Sequence, residues 1–344
     1  MRQRIAFKVV VLCVFGYIRQ TSRARLSGVL LLRCLTFFLR SRSFRLQSLL
    51  IRHPVRLTLL FAWVTLLLLL PNSLVLIHGY GGFTVLGITG AIFANATGAG
   101  GGVVFVPFFN HLGFTATTIV ATSFAIQCCG MTAGAVTWYR FYKIGHEHDK
   151  EWHSLFPILF TTVPLSWLGI WSVQAIEFMG FFSLHGKGVD QLHLWFGLFS
   201  IVLAVSIYWS IPLLTKNRFL KQCSSTDLIA LAGIAMVGGA ITAYLSVGVG
   251  ELIAVYLIIR GFNVTFSIAV AVIVSAFSVW SAAPYHALIT EAIYWPVVLF
   301  AGAGAVVGGI IAKRVVLMFS PTRLKVFFAT WVLLLGMSSL PIFS

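Results

Sequence analysis

The stretch Gly90–Ser123 reads GAIFANATGAGGGVVFVPFFNHLGFTATTIVATS. It is apolar enough to lie in a bilayer. Yet it carries five glycines between Gly90 and Gly102, and a proline at Pro107. Glycine and proline weaken helices. In hydrocarbon such weakness is tolerated where the freed backbone groups face protein or a water-filled cavity. The stretch therefore marks either a close helix contact or a site.

It has a counterpart later in the chain. A shift of 148 residues carries Gly90 onto Gly238, Gly100 onto Gly248, Gly102 onto Gly250 and Gly113 onto Gly261. Phe114, Thr117 and Ala121 fall on Phe262, Thr265 and Ala269 without a gap. The small-residue stripe Gly90, Ala94, Gly98, Gly102 becomes Gly238, Thr242, Ser246, Gly250. Both stripes run at i, i+4 and so lie on one helical face. A duplicated pair of interrupted apolar segments is the best sequence pointer to a transporter binding site.

The composition agrees. Hydrophobic residues make up 59% of the chain and charged ones 9%. A soluble domain is about half apolar and a quarter charged. Apolar runs of about 20 residues, enough to span a bilayer, recur from Leu57 onward. The expected fold is an all-α polytopic bundle of transmembrane helices with a four-plus-four internal repeat. The expected spans are 83–109, 113–138, 155–178 and 192–213 in the first half, then 228–259, 263–286, 292–312 and 325–341. The repeats cover 83–213 and 228–341, with a polar linker at 214–227 and one extra span at 57–78. Two repeats of four full crossings would be parallel. Inversion needs an odd number of crossings, as when one segment is broken or re-entrant.

The net charge of +16 is concentrated at one end. Twelve of the 24 Lys and Arg lie in residues 1–56, and the first acid is Glu147. A basic tail beside a span fits anionic lipid, and no recognition motif points to nucleic acid. The alternatives for 1–56 are a start read too early and an organelle transit peptide. The five cysteines have no zinc or disulfide spacing. Tyr139–His153 could hold a divalent metal by its histidines and acids, but charged loops between spans are common. No cofactor is expected, and nothing in the motifs asks for an enzyme.

The cluster Gly98–Gly102 lacks the Gly-Lys-Ser/Thr ending of a phosphate loop. It suits an anion site instead. Glycines let main-chain N–H groups come close to a ligand, and a half-helix N-terminus adds positive charge. Candidate substrate-binding residues are Asn95, Thr97, Gly98, Gly100, Gly101, Gly102, Pro107, Thr122 and Ser123, with Ser246, Gly248 and Gly250 from the second copy. The alternative is that the small residues only permit close helix crossing. Glu251 replaces Val103 of the first copy and sits mid-span. A carboxylate there is a functional candidate, here for proton coupling. An ion pair with Arg260 is its structural alternative.

GAGGGVVFVP at Gly98–Pro107, then HLG, then ATS at Ala121–Ser123, resembles the signature of the TauE/SafE-type sulfite exporter family, also called TSUP. GAVVGGIIAKRV at Gly304–Val315 is similar too, and the likeness runs from about Phe83 to the end. The resemblance implies a permease for small sulfur-containing anions such as sulfite, sulfoacetate or thiosulfate, often an exporter, in the plasma or inner membrane. In the second copy GVGE stands in place of the glycine run and Val255 replaces Pro107. The partners implied are a small anion and the bilayer, and the sequence admits a homo-oligomer. A passive anion channel and a non-transporting membrane assembly protein are the competing readings.

Overall fold

The computed structural model describes residues 54–98, 100–110, 112–181, 189–211 and 222–338. The basic tail over 1–56 lies outside them except for 54–56, as do 214–221 of the linker. Among the described residues the only regular structure is helix, joined by turns. One unit ends at Ser73 and holds α1, Pro54–Leu69. The expected extra span is thus covered by α1 and by α2, Ser73–Tyr80, with Pro71 and a left-handed Asn72 between them.

The unit from Leu74 onward carries the remaining elements. They are α3 (Phe83–Thr97), α4 (Gly102–Asn110), α5 (Ala116–Gly145), α6 (Leu155–Phe178) and α7 (Val189–Ser210). Then come α8 (Ser225–Leu245), α9 (Val249–Ile259), α10 (Val264–Leu288), α11 (Trp295–Met318) and α12 (Pro321–Ser338). The expected spans 113–138, 155–178, 192–213, 263–286, 292–312 and 325–341 each overlap one helix, whereas 83–109 and 228–259 each hold two helices with a break between them. Five of these helices, α5, α6, α8, α10 and α11, are long and apolar enough to cross a membrane. The chain is a multi-pass membrane helix bundle.

Local chemistry sets several starts. Thr115 caps α5 by accepting from the Thr118 amide. Asn263 Oδ1 accepts from the Thr265 amide at 2.8 Å before α10. Ser224 and Asp227 form a reciprocal capping box at α8. Such caps satisfy main-chain donors that a helix start leaves over.

The two broken elements are as the glycines foretell, but each break reverses the chain. Phe83, at the start of α3, lies beside Phe108 and Phe109 at the end of α4, with ring centroids 6.3 Å apart in both pairs. A Cβ on Gly90 would strike the Phe105 ring. So α4 runs back along α3. The second break does the same. Asp227, at the start of α8, accepts from Arg260 Nε at 2.6 Å and from the Tyr256 hydroxyl at 2.9 Å. Gly238 packs against Val249. The stretches 83–109 and 228–259, expected as single crossings, are therefore hairpins that enter and leave at the same end.

The central pair α5 and α10 runs antiparallel. Phe124 stacks on His286 at 5.3 Å, Cys128 Sγ donates to the Val279 carbonyl at 3.6 Å, and Trp280 Nε1 donates to Thr132 Oγ1 at 2.8 Å. The first hairpin opens where α5 begins: Phe114 stacks on Phe109 and touches Tyr294, at 5.6 and 5.2 Å. The second opens where α5 ends. There Trp152 meets Tyr142 and Phe266, at 5.8 and 5.4 Å, and the Cys223 amide donates to Ser154 Oγ at 2.9 Å. A helix of 30 residues is about 45 Å long at 1.5 Å per residue. The two hairpins thus enter the bundle from opposite ends.

The long leg of each hairpin packs on a helix of the other half, α3 on α11 and α8 on α6. Small residues make this possible. Gly304 and Gly308 of α11 sit on the Thr84 and Ile88 carbonyls, and Gly239 sits on Ser166. A methyl at any of the three would collide with main chain. Close backbone approach of this kind is how helices associate in lipid, where no hydrophobic force separates them from the solvent.

Candidate functional site

The two hairpin tips meet inside the bundle. Gly98 ends α3 in the left-handed region, at φ 80°, and its amide returns to the Ala94 carbonyl. Ser246 ends α8 in the same region at φ 60°, with its amide on Thr242. A non-glycine residue pays about 1–2 kcal/mol for that conformation. Gln127 offsets the strain. Its Nε2 donates to the Ser246 carbonyl at 3.2 Å and to Ser246 Oγ at 2.8 Å.

The same Gln127 holds the other tip. Its Oε1 accepts from the Gly101 amide at 2.8 Å. Ser123, one turn earlier on α5, accepts from Gln127 Nε2 at 3.0 Å and from Ser246 Oγ at 3.1 Å. The tips also touch directly. The Gly100 amide donates to Glu251 Oε1 at 2.7 Å. Cβ atoms on Gly102 and Gly250 would collide with the carbonyl oxygens of Ser246 and Gly98 respectively. Ser123, Gln127, Ser246 and Glu251 are all at most 2% exposed.

Both returning legs begin here. The N-terminus of α4 at Gly102 and that of α9 at Val249 face the junction, while their far ends lie at the opposite hairpin mouths. A helix start carries about half a positive charge and leaves amide donors over. At α9 the Val249 amide is taken by Thr242 Oγ1, at 2.9 Å, and the Gly248 amide by Glu251 Oε2, at 2.8 Å. Glu251 does not pair with Arg260, whose guanidinium is engaged by Asp227 at the hairpin mouth.

Of the candidate residues, Gly98, Gly100, Gly101, Gly102, Ser123, Ser246, Gly248, Gly250 and Glu251 gather at the junction. Four lie off it. Asn95 donates from Nδ2 to the Ala91 and Gly130 carbonyls, at 2.8 and 3.3 Å, and so ties α3 to α5. Thr97 Oγ1 donates to the Phe93 carbonyl at 2.7 Å. Thr122 Oγ1 accepts from the Tyr294 amide at 3.0 Å, toward the first hairpin mouth. Pro107 is buried within α4, past the break.

Two residues at the junction escape a glycine-led reading, Gln127 and Ser275. Gln127 follows Ser123 by four positions, so both share a face of α5; an amide in mid-span was the available signal. Ser275, on α10, is 3% exposed, and its hydroxyl packs against Gly250. Among the described residues that hydroxyl makes no hydrogen bond.

The stretch Tyr139–His153, the last turns of α5 and the connection after it, lies away from the junction, at the second hairpin's end of the bundle. Its side chains engage each other. His146 Nδ1 meets Asp149 Oδ2 at 2.6 Å, and the His146 ring packs on Phe141 and Trp152, at 4.3 and 5.4 Å. The hydrogen bond from Lys143 holds Glu147 below the usual carboxylate range.

The sulfite exporter TauE/SafE family model matches residues 83–339. No curated protein and no solved structure matches the chain. The matched span starts at the first residue of α3 and closes just past α12, so it takes in both hairpins and the residues that join their tips. With most of its length covered by that one match, the chain belongs to the sulfite exporter TauE/SafE family of membrane transporters.

Proposed function

We propose that the chain is a secondary carrier that exports a small sulfur oxyanion or organosulfonate across the cell membrane, with the solute seated where the two hairpin tips meet. The observation that supports this reading is the convergence of two half-helix N-termini on one buried point lined by Gly100, Gly101, Ser123, Gln127 and Ser246. Main-chain N–H groups there recognise negative charge without a fixed cation, and a neutral amide and hydroxyls add directional donors and acceptors.

The halves act as inverted repeats in this reading. Each consists of a hairpin followed by three long helices, α5–α7 in the first and α10–α12 in the second. Three is odd, so a hairpin that opens outward in one half opens inward in the other. Rocking of one half against the other then exposes the junction to each side in turn. Glu251 is the group that carries the coupling proton. The packed contact between the tips favours a carrier over a standing channel, since Gly102 against Ser246 leaves no room even for a methyl group.

The test is efflux of labelled sulfite, thiosulfate and sulfoacetate from proteoliposomes under a set proton gradient. Saturable efflux that follows the gradient is expected, and Glu251→Gln should remove the gradient dependence while leaving exchange. Current that rises linearly with anion concentration would instead identify a channel. No movement of any of the three anions under any gradient would leave an assembly role.

A further inference from the structure

The junction already holds a carboxyl group, and it belongs to the protein. Glu251 is the third residue of α9, and its side chain turns back over the helix start. A glutamate at that position often caps its own helix by accepting from the N-cap amide. Oε2 does this with Gly248, at 2.8 Å. Oε1 does something else. It leaves its own hairpin and accepts from the Gly100 amide, 151 residues away in sequence, at 2.7 Å. The carboxylate is 1% exposed. Its two oxygens therefore occupy one donor from each hairpin tip, in the place and with the partners that an oxyanion from solution would use.

A second observation concerns the residue next to Glu251. Ser275 presents a buried hydroxyl with no hydrogen-bond partner among the described residues. It lies against Gly250, in the first turn of α9, where the Gly98 carbonyl of the other tip also arrives. Buried hydroxyls are normally satisfied, so an orphan beside a polar junction calls for an explanation, and a donor kept for a ligand is one.

We propose that the Glu251 side chain is a tethered occupant of the anion seat, and that a solute oxyanion is taken up only when this carboxylate swings off the Gly100 and Gly248 amides. The Ser275 hydroxyl is then the extra donor that meets the incoming oxyanion. This rests on reading the junction as the solute site. Occupancy of the seat by Glu251 lowers apparent affinity in proportion to the fraction of time it is filled. A seat filled about nine-tenths of the time weakens solute binding about tenfold. Release of solute is helped by the same side chain, which returns to the donors the solute gives up.

The experiment is equilibrium binding of thiosulfate and sulfite to the full chain in detergent, by calorimetry, for the parent protein, Glu251→Ala and Glu251→Gln. Both variants are expected to bind about tenfold more tightly or better, with Glu251→Ala the tighter of the two. Ser275→Ala placed on Glu251→Ala should lose part of that gain. Equal or weaker binding by both Glu251 variants, with the parent binding normally, overturns the tethered occupant and leaves the junction as the solute site. Absence of binding in all of them, together with absence of efflux, removes the junction site and the inference with it. A measurement on the parent protein guards against a variant that fails to fold. Thiosulfate should shift a carboxylate band in the infrared difference spectrum, and a silent carboxylate region on binding overturns the proposal.

Discussion

Gly100 and Gly102 stand two residues apart and are asked for different things. A Cβ on Gly102 meets the main chain of the other hairpin at Ser246. A Cβ on Gly100 would come to 3.0 Å from the end of the Gln127 side chain, which can give a little, and to 3.3 Å from the Ser246 carbonyl, which a Cβ on Gly102 would meet more closely still. Gly102→Ala should therefore lower stability by about 1–3 kcal/mol, as overpacked interiors do, and Gly100→Ala by clearly less. Thermal unfolding of the two variants in the same detergent checks the order; equal midpoints would contradict it. The glycines were legible in sequence because only glycine tolerates such approach. Gln127 was not, because a single amide in a long apolar helix carries no pattern of its own. Its importance comes from two partners on two other segments, Gly101 and Ser246, and from Ser123 on its own helix. Asn95 and Thr122 lie off the junction: Asn95 Nδ2 donates to main-chain carbonyls and Thr122 Oγ1 accepts from the Tyr294 amide, bonds that a sequence cannot foretell.

At the scale of the element, the sequence located both interruptions but not the direction of the chain after them. The reason is arithmetic. Helices of 15 and 9 residues laid end to end have the length of one crossing, and folded back they have the same hydropathy. Direction is decided by a few dihedral angles at Gly98, Ser246 and Gly248, which periodicity does not record. The second hairpin is fastened at its mouth by Asp227, which serves the α8 capping box, the Tyr256 hydroxyl and Arg260 at once. Asp227→Ala should cost about 1–3 kcal/mol through the lost cap and the unpaired phenol. The loss should be local. Hydrogen exchange should accelerate over α9 and the start of α8 while the first hairpin keeps its protection; uniform acceleration would argue against a mouth fastening.

Across the whole unit from Leu74, the placement of the hairpins follows from α5, whose two ends mark the two mouths. Thr115 precedes its first turn at one mouth, and Cys223 lies at the other, bonded to Ser154. In sealed vesicles, Cys223 should react with an impermeant maleimide from one side, and a thiol introduced by Thr115→Cys from the other. Labelling of both from the same side would refute opposed hairpins. This arrangement was only conditionally legible. The 148-residue shift announces that two stretches are related, but their relative orientation depends on the count of crossings between them, and that count changes by one for every element that turns back.

The contact between Gly100 and Glu251 also constrains how the protein is made. The first tip leaves the ribosome with its main-chain donors bare, and their partners come later: Gln127 after 26 residues and Glu251 after 151. At about 5–20 residues per second, the wait for Glu251 is about 8–30 s. Hydrocarbon is a poor place for unpaired amides over that interval. The α3–α4 hairpin must therefore be sheltered during biogenesis by the insertion machinery or by bound water, and it settles into its final place only when the second half of the chain arrives to complete it.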